Sequence, residues 1–397
     1  KKNFLTSIVA QSNHLKKNIE FEKNYLNKIE ILTALLLTGL VFKEYEENYN
    51  IALKELEKLV KKVFDKDGFP LTRNPSDLIL LSKYLILCKE CIKGAQKYIP
   101  DFLDSIIDKN LICIKNILTP NDQMPLFNGG VEEDLSKFNK FTIDLNYKSK
   151  EKKNHIGGIQ ILKYKNSFVS FDVGEPPNKN FSSSYQSGPL SFEYYLDGIK
   201  VITNCGFGCN ISSKAELLSR LTSAQTTLTI NDTAVTKFER NRLVNKVFGN
   251  SIKNSFKISN FYSFEDENQI FSEASHNGYE NDFGCIYKRK ILLDKSSNSL
   301  IGTDQISKKK NNKPISFTIR FHLYPGLSAV QTISGNSVLI QLSKNKSLFF
   351  TIKNEAIKLE KSLFLGSNRV LNNTCLVVSG NLVNIDKTIH WEIKKNI

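Results

Sequence analysis

The chain is poor in several residue types that mark common function classes. It has one methionine, one tryptophan, five histidines and, among 55 basic residues, only seven arginines. No HExxH, P-loop, GxSxG, or GxGxxG opening a helix after a strand occurs, which removes the usual signatures of zinc peptidases, NTPases, α/β-hydrolases and dinucleotide enzymes. Long apolar runs are also lacking. The longest, Ile31–Phe42, is broken by Thr33, Thr38 and Gly39. A bilayer needs about 20 apolar residues, so this stretch reads as a buried core helix and no integral membrane segment is expected. Seven cysteines, an odd number in 397 residues, imply no dense disulfide framework. Cys88 and Cys91 form a CxxC inside the apolar stretch Leu78–Ile92, with no second Cys/His pair nearby. They read as core, as do Cys205 and Cys209 beside Gly206 and Gly208. No repeat of 20–50 residues is visible.

What is abundant is lysine and asparagine: 48 Lys and 41 Asn, with a net charge of +15. Such a surface favours an acidic partner. The lysines are spread along the chain rather than clustered with aromatics, so nucleic acid is not expected as a partner. At 45.1 kDa the chain suits two domains. The first third is helical. Leu53, Leu56, Leu59, Val60, Val63 and Phe64 recur at spacings of three and four, and Asp67-Gly68 stops that helix. Pro75 opens another helix, and Pro100 starts a third that ends at Pro120. Phe4–Lys23 and Ile29–Phe42 supply two more. Short loops between them predict antiparallel helical hairpins. Near Asn154 the period changes to two. Ser191–Tyr195 and Ile199–Thr203 flank Asp197-Gly198, a two-residue hairpin turn, and further strand-like runs follow to Thr388–Ile393. With only Ser213–Leu221 reading as helix in this half, the strands predict an antiparallel sandwich. The expected domains are 1–145 and 155–397, joined by a Lys- and Asn-rich linker, Asp144–Asn154. Glu175–Ser187 reads as a long loop over a cleft.

Six ordered motifs in the second half carry a resemblance. They are Asp172-Val173-Gly174-Glu175-Pro176-Pro177, Gly188-Pro189-Leu190-Ser191-Phe192-Glu193, Asn204-Cys205-Gly206, Arg220–Leu228, Ser275-His276-Asn277-Gly278-Tyr279 and Arg320-Phe321-His322-Leu323-Tyr324-Pro325. In this order they resemble the C-terminal domain of the heparinase II/III-like polysaccharide lyase family. Gly68-Phe69-Pro70-Leu71-Thr72-Arg73-Asn74-Pro75 and Phe127-Asn128-Gly129-Gly130 look like pieces of that family's α/α toroid. The resemblance implies an α+β, multidomain fold: an incomplete α/α toroid of helical hairpins, truncated at its N-terminus, followed by a large antiparallel β-sandwich. It implies a carbon–oxygen lyase that acts on an acidic, uronic-acid-containing polysaccharide by β-elimination, in the periplasm or cell envelope. The alternatives are a glycan-binding or envelope-biogenesis protein that kept the fold without the chemistry, and a cytoplasmic location.

The departures from the family pattern are as informative. Its metal ligands, two His and one Asp, fall on Gln186, Gln225 and Asn204, and its catalytic His falls on Ser184. Neutral amides are poor zinc ligands, so no metal or other cofactor is expected, and the three amides are expected to form a hydrogen-bonded cluster. β-Elimination needs a base, an acid and a donor for the developing enolate. The candidates are His276, read as lying in a polar loop, with Tyr279 and Tyr185. Arg73 with Asn74, and Arg220, are candidates for binding substrate, since arginine's fork suits a carboxylate and stands out in a chain that otherwise uses lysine. Arg289 and Arg320 invite the same argument, and His322 reads as structural. Glu46-Glu47 and Glu132-Glu133-Asp134, both read as loops, are the paired carboxylates a glycoside hydrolase would require.

Overall fold

The computed structural model describes residues 2–147, 151–239, 241, 243, 245, 249–309, 314–382 and 386–396. The chain divides into two compact units. One comprises Lys1–Leu71, Ser76–Lys115 and Lys148–Lys153; the other comprises Thr72–Pro75, Asn116–Tyr147 and Asn154–Ile397.

The first unit is built from the helices α1 (Lys2–Asn18), α2 (Tyr25–Val41), α3 (Glu46–Val63), α4 (Pro75–Gly94) and α5 (Asp101–Ile117). Asn24 caps α2 by accepting from the Leu26 N–H at 2.9 Å. Glu46 and Glu47 open α3, where they complement the helix dipole, and Lys61 and Lys62 close it. That pair was read as a loop; it is a helix start, and Glu46 is bonded to Lys97 at 2.7 Å. Leu32, Leu35 and Leu36 of α2 and Ala52, Leu56 and Leu59 of α3 are buried. The two helices approach so closely that a Cβ on Gly39 would lie 2.3 Å from the Tyr49 nitrogen. Cys88 packs 3.5 Å from the Thr33 hydroxyl, a core position as the apolar context predicted. Among the described residues no helix is long and apolar enough to cross a membrane. A further helix, α6 (Ser136–Asp144), was not foreseen and belongs to the second unit.

The second unit is an antiparallel sandwich. Its strands in chain order are β1 (His155–Ile156), β2 (Ile159–Tyr164), β3 (Ser167–Asp172), β4 (Phe192–Leu196), β5 (Ile199–Thr203), β6 (Leu228–Ile230), β7 (Ile258–Glu265), β8 (Gln269–Tyr279) and β9 (Cys285–Asp294). They continue with β10 (Ser299–Lys308), β11 (Ile315–Leu323), β12 (Ser328–Gln331), β13 (Ser337–Ser343), β14 (Lys346–Ile352), β15 (Lys358–Phe364), β16 (Leu371–Leu382) and β17 (Lys387–Lys395). One sheet runs β1-β2-β3-β4-β5-β11-β16-β15, with β6 paired to β11; the other runs β12-β13-β14-β17-β10-β9-β8-β7. A short helix, α7 (Ser213–Ser219), lies where helical period was expected, capped by the Ser212 hydroxyl.

Alternation of burial along β9 and β10 puts Tyr287, Arg289, Ile291 and Leu293, with Leu300, Asp304 and Ile306, on the inner face. Trp391 of β17 stacks on Phe192 of the other sheet, centroids 5.4 Å apart and planes 6° apart, and meets Phe321 edge-on at 5.1 Å. Gly302 is required beneath it, because a Cβ there would lie 2.0 Å from the indole. Beside this aromatic core Arg289 forms a buried fork on Asp304, Nε–Oδ1 2.6 Å and Nη2–Oδ2 3.2 Å. The Trp391 indole N–H donates to Asp304 Oδ2 at 2.8 Å, and the Tyr287 hydroxyl donates to Oδ1. The remaining Arg289 nitrogen crosses to the Leu190 and Thr226 carbonyls at 2.9 and 2.7 Å. Arg289 is therefore a link between sheets. Asp304→Ala would leave a buried guanidinium unpaired and is expected to cost about 3–5 kcal/mol in chemical denaturation.

Candidate functional site

The family-like motifs meet around the loop Ser182–Leu190. Arg73, in a left-handed conformation at φ 58°, points its guanidinium into the turn between β1 and β2 and the segment after β3. Nε donates to the Gly157 carbonyl at 3.0 Å; Nη1 donates to Gly174 and Glu175 at 3.2 and 3.1 Å. Nη2 donates to Gly158 at 3.2 Å and to the buried Asp172 carboxylate. Five N–H donors thus meet five acceptors. The glycines admit it: a Cβ on Gly174 would lie 2.3 Å from the guanidinium carbon. The expectation that Arg73 binds a substrate carboxylate is corrected on this count, since no donor is left. Arg73 instead joins Thr72–Pro75 to the sandwich. A lysine there, with a single point charge, would leave several of these acceptors unmet, and Arg73→Lys is expected to destabilise by at least about 3 kcal/mol in urea.

Asn74 is buried beside Gly129 and Ser184. A Cβ on Gly129 (φ +104°) would lie 2.7 Å from Asn74 Nδ2 and 3.0 Å from Ser184 Oγ, so only glycine lets these groups close in. The half-buried Ser184 hydroxyl donates to the Asn128 carbonyl at 3.2 Å. Gln186, two residues on, accepts from the Gly129 N–H at 3.0 Å and donates to the carbonyls of Gly206 and Ser219 at 3.0 and 2.8 Å. Gln225 donates to the same Ser219 carbonyl at 2.8 Å. The Cys205 thiol lies between the two amides, 4.0 Å from Gln186 and 3.8 Å from Gln225, its pKa pushed up to about 12 by burial. Asn204 accepts from the Thr226 N–H at 2.9 Å, and its Nδ2 has no partner among the described residues.

The amides therefore converge, but not as the side-chain chain expected: Gln186 and Gln225 meet on one backbone carbonyl, and Asn204 fastens the segment before β6. Amide nitrogens turned to carbonyls and a protonated thiol do not suit zinc, which wants thiolate, imidazole or carboxylate. Among the described residues no three His, Cys, Asp or Glu side chains are grouped for a metal. Prolonged chelation is expected to leave the thermal midpoint unchanged, as followed by circular dichroism.

The acid–base candidates lie elsewhere than their sequence context indicated. His276 is on β8, not in a loop, and is fully buried. The register of β8 against β9 slips between His276 and Tyr279, so Asn277-Gly278 forms a bulge that resembles a turn in sequence. The His276 ring lies 5.5 Å from Phe256, 5.8 Å from Tyr279 and 5.5 Å from Tyr287. Its Nδ1 accepts from the Gly278 N–H at 3.1 Å, and Nε2 has no partner among the described residues. Burial, with Arg289 nearby, lowers its pKa to about 3. Tyr279 donates to the carbonyls of Leu228 and Thr233 at 3.1 and 3.0 Å, and burial raises its pKa. Tyr185 is buried, its pKa raised by desolvation and then by Asp172. No solvent-borne substrate reaches these three groups in this conformation. His322 bridges Ser362 Oγ at 2.9 Å and the Ser223 carbonyl at 3.1 Å and is buried.

Arg220 donates to the Tyr185 and Ser182 carbonyls at 2.8 and 2.9 Å and stacks on Phe238 at 4.0 Å. It is fully buried, and burial lowers its pKa to about 10. It shapes the backbone that presents Ser184 rather than facing solvent. Arg320 donates to Thr229 Oγ1 at 3.0 Å. Cys209, expected to be buried, is exposed in the turn before α7. Sequence reasoning missed a buried ion cluster: Lys200 lies 3.1 Å from Glu193 and 3.6 Å from Glu132. Glu193 also accepts from the Leu126 N–H at 3.2 Å and Thr203 Oγ1 at 3.0 Å. Glu132 thus belongs to the interior and not to a hydrolytic carboxylate pair. The place of Glu193 at the end of the Gly188–Glu193 motif was the one available signal.

The Heparinase II/III-like, C-terminal family model matches residues 149–392, more than half of the chain. The chain belongs to the heparinase II/III-like family. The heparan sulfate lyase HepC of Pedobacter heparinus superposes with a TM-score of 0.75 at 14% identity over 99% of this chain and 63% of that one. A heparinase III superposes at 0.79, with 12% identity over 99% of this chain and 63% of that one. These likenesses show the fold, the α/α toroid and β-sandwich of the heparinase group. A curated relative, FtsZ-localized protein C of Caulobacter vibrioides, is 22% identical over 89% of this chain and 62% of its own length. The chain therefore spans about three-fifths of the relatives it matches.

His276 makes a pH dependence of stability. Its folded pKa, about 3, lies below the ordinary value of about 6.5, so the fold favours the neutral ring. That contribution is fully present above pH of about 6.5 and is lost as pH falls toward 3. His276→Phe is expected to flatten the fall of the urea midpoint between pH about 6.5 and 4, measured against the parent chain.

Proposed function

We propose that this heparinase II/III-like protein binds an acidic, uronic-acid-containing polysaccharide at the half-buried Ser184, with the buried Asn74 and Gly129 behind it, and holds it without cleaving it. The observation that carries the reading is Ser184. By the family resemblance it falls where the family has its catalytic histidine, and it is half-buried and beside Asn74, while His276, Tyr279 and Tyr185 are enclosed. A serine hydroxyl and a primary amide exchange hydrogen bonds with sugar hydroxyls and carboxylates, but neither by itself removes a C5 proton at neutral pH. The net charge of +15 favours an anionic chain over a neutral one. An envelope or periplasmic location, where such polymers are met, belongs to the same reading.

A second reading, β-elimination by a carbon–oxygen lyase, is favoured by the family match. One experiment separates them. The protein is incubated with heparan sulfate, hyaluronan, alginate and polygalacturonate, and both retention and the ultraviolet absorbance of unsaturated ends are followed. The binding reading expects retention of at least one polymer, weakened at least about fivefold by Ser184→Ala with Asn74→Ala, and no rise in absorbance. A sustained rise with any polymer replaces it with the lyase reading. Absence of both retention and absorbance across the panel overturns both.

A further inference from the structure

At one side the sandwich opens between the edge strands of its two sheets, β1–β2 and β7. A cavity of about 470 Å³ lies there, lined by Asn154, His155, Gln160, Phe261, Tyr262 and Phe264 among others. That volume is within the range of small-molecule sites. Phe261, Tyr262 and Phe264 are 40%, 53% and 40% exposed, whereas Phe192, Phe317, Phe321 and Phe350 of the other strands are at most 1% exposed. Such a row of aromatics on a solvent edge marks a contact surface.

Two observations decide what it suits. First, β7 is a poor template for another strand. Its register against β8 shifts between Ser259 and Tyr262, with Asn260 at φ 52°, and a bulge of this kind twists an edge away from further pairing. Recognition then falls to the side chains. Second, the lining side chains combine flat rings with amides, and lysines lie over neighbouring rings. His155 lies against Phe261 at 4.8 Å, and Tyr262 and Phe264 flank Phe271 at 5.7 and 5.8 Å. Lys290 Nζ is 4.2 Å over the Phe271 ring; Lys165 and Lys295 are 5.1 and 5.4 Å over Tyr164. Glu265 at the cavity wall is paired with Lys295 at 2.9 Å. Pyranose rings present apolar C–H faces to aromatic planes and a rim of hydroxyls to amides; a uronate adds a carboxylate that lysine attracts.

We propose that this side opening is a second glycan-binding subsite, sharing no residue with the Asn74–Ser184 face, and that it takes a short uronic-acid-containing stretch of a polysaccharide. The choice of ligand class rests on the polysaccharide-binding function proposed above. Binding is measured by calorimetry on the full chain with the polymer the panel retains, and with dextran as the neutral control. Tyr262→Ser with Phe264→Ser is expected to weaken binding at least about tenfold, and Lys290→Gln by about twofold to fivefold, with circular dichroism unchanged. If only Asn74→Ala with Ser184→Ala weakens binding, the subsite is overturned while the first face stands. If only the β7 variants weaken it, the subsite stands and the first face is overturned. Equal binding of dextran overturns the subsite, as does loss of a dimer on the β7 substitutions with glycan binding unchanged, which would assign the edge to self-association.

Discussion

The Arg289–Asp304 fork fixes the sandwich from its centre outward. Removing a charged pair from water is expensive, and it survives only when every donor and acceptor finds a partner. Here Asp304 receives Arg289, Tyr287 and Trp391, and Arg289 spends its remaining nitrogen on the Leu190 and Thr226 carbonyls of the opposite layer. Those two carbonyls bracket the amide framework: Leu190 ends the loop that carries Ser184 and Gln186, and Thr226 follows Gln225. The geometry of the candidate face is thus inherited from a core ion pair on the other sheet.

The same demand for partners is visible at other buried polar groups. Arg73 meets five acceptors, Lys200 lies between two carboxylates, and Gln186 satisfies its oxygen and both amide hydrogens. These bonds bring backbone segments together. Individual neutral bonds contribute only about 0.5–1.5 kcal/mol each, so the framework depends on the large apolar core to fix the strands first. The outcome is a polar but neutral surface at Ser184, suited to holding sugar hydroxyls.

Much of the fold was legible in local sequence. The change from period 3.6 to period 2 near Asn154, the Asp197-Gly198 turn, and the run Ile199–Thr203 all correspond to elements found. Leu32, Leu35, Leu56 and Leu59 announce their helices because a helix face is written within a dozen residues. The site was less legible because its determinants are distant in sequence. The partners of Arg73 are 84 to 102 residues away, so an arginine kept against lysine drift was read as a substrate fork rather than a structural one. His276 was misplaced because a bulge at Asn277-Gly278 has the composition of a turn. Glu132 looked like part of an exposed acidic run because nothing local signals Lys200. Convergence of Gln186 and Gln225 was legible only through family resemblance; that they meet on the Ser219 carbonyl was not.

Central to this account is the proposal that the surface at Ser184, backed by Asn74 and Gly129, holds an acidic glycan without breaking it. Hydrogen exchange of the full chain, with and without a uronate oligosaccharide recovered afterwards by mass spectrometry, tests that directly. The account predicts slowed exchange in peptides spanning 125–131 and 182–188, with the oligosaccharide recovered at its original mass. Unchanged exchange at both segments, or recovery of two shorter products with one bearing an unsaturated end, would contradict it.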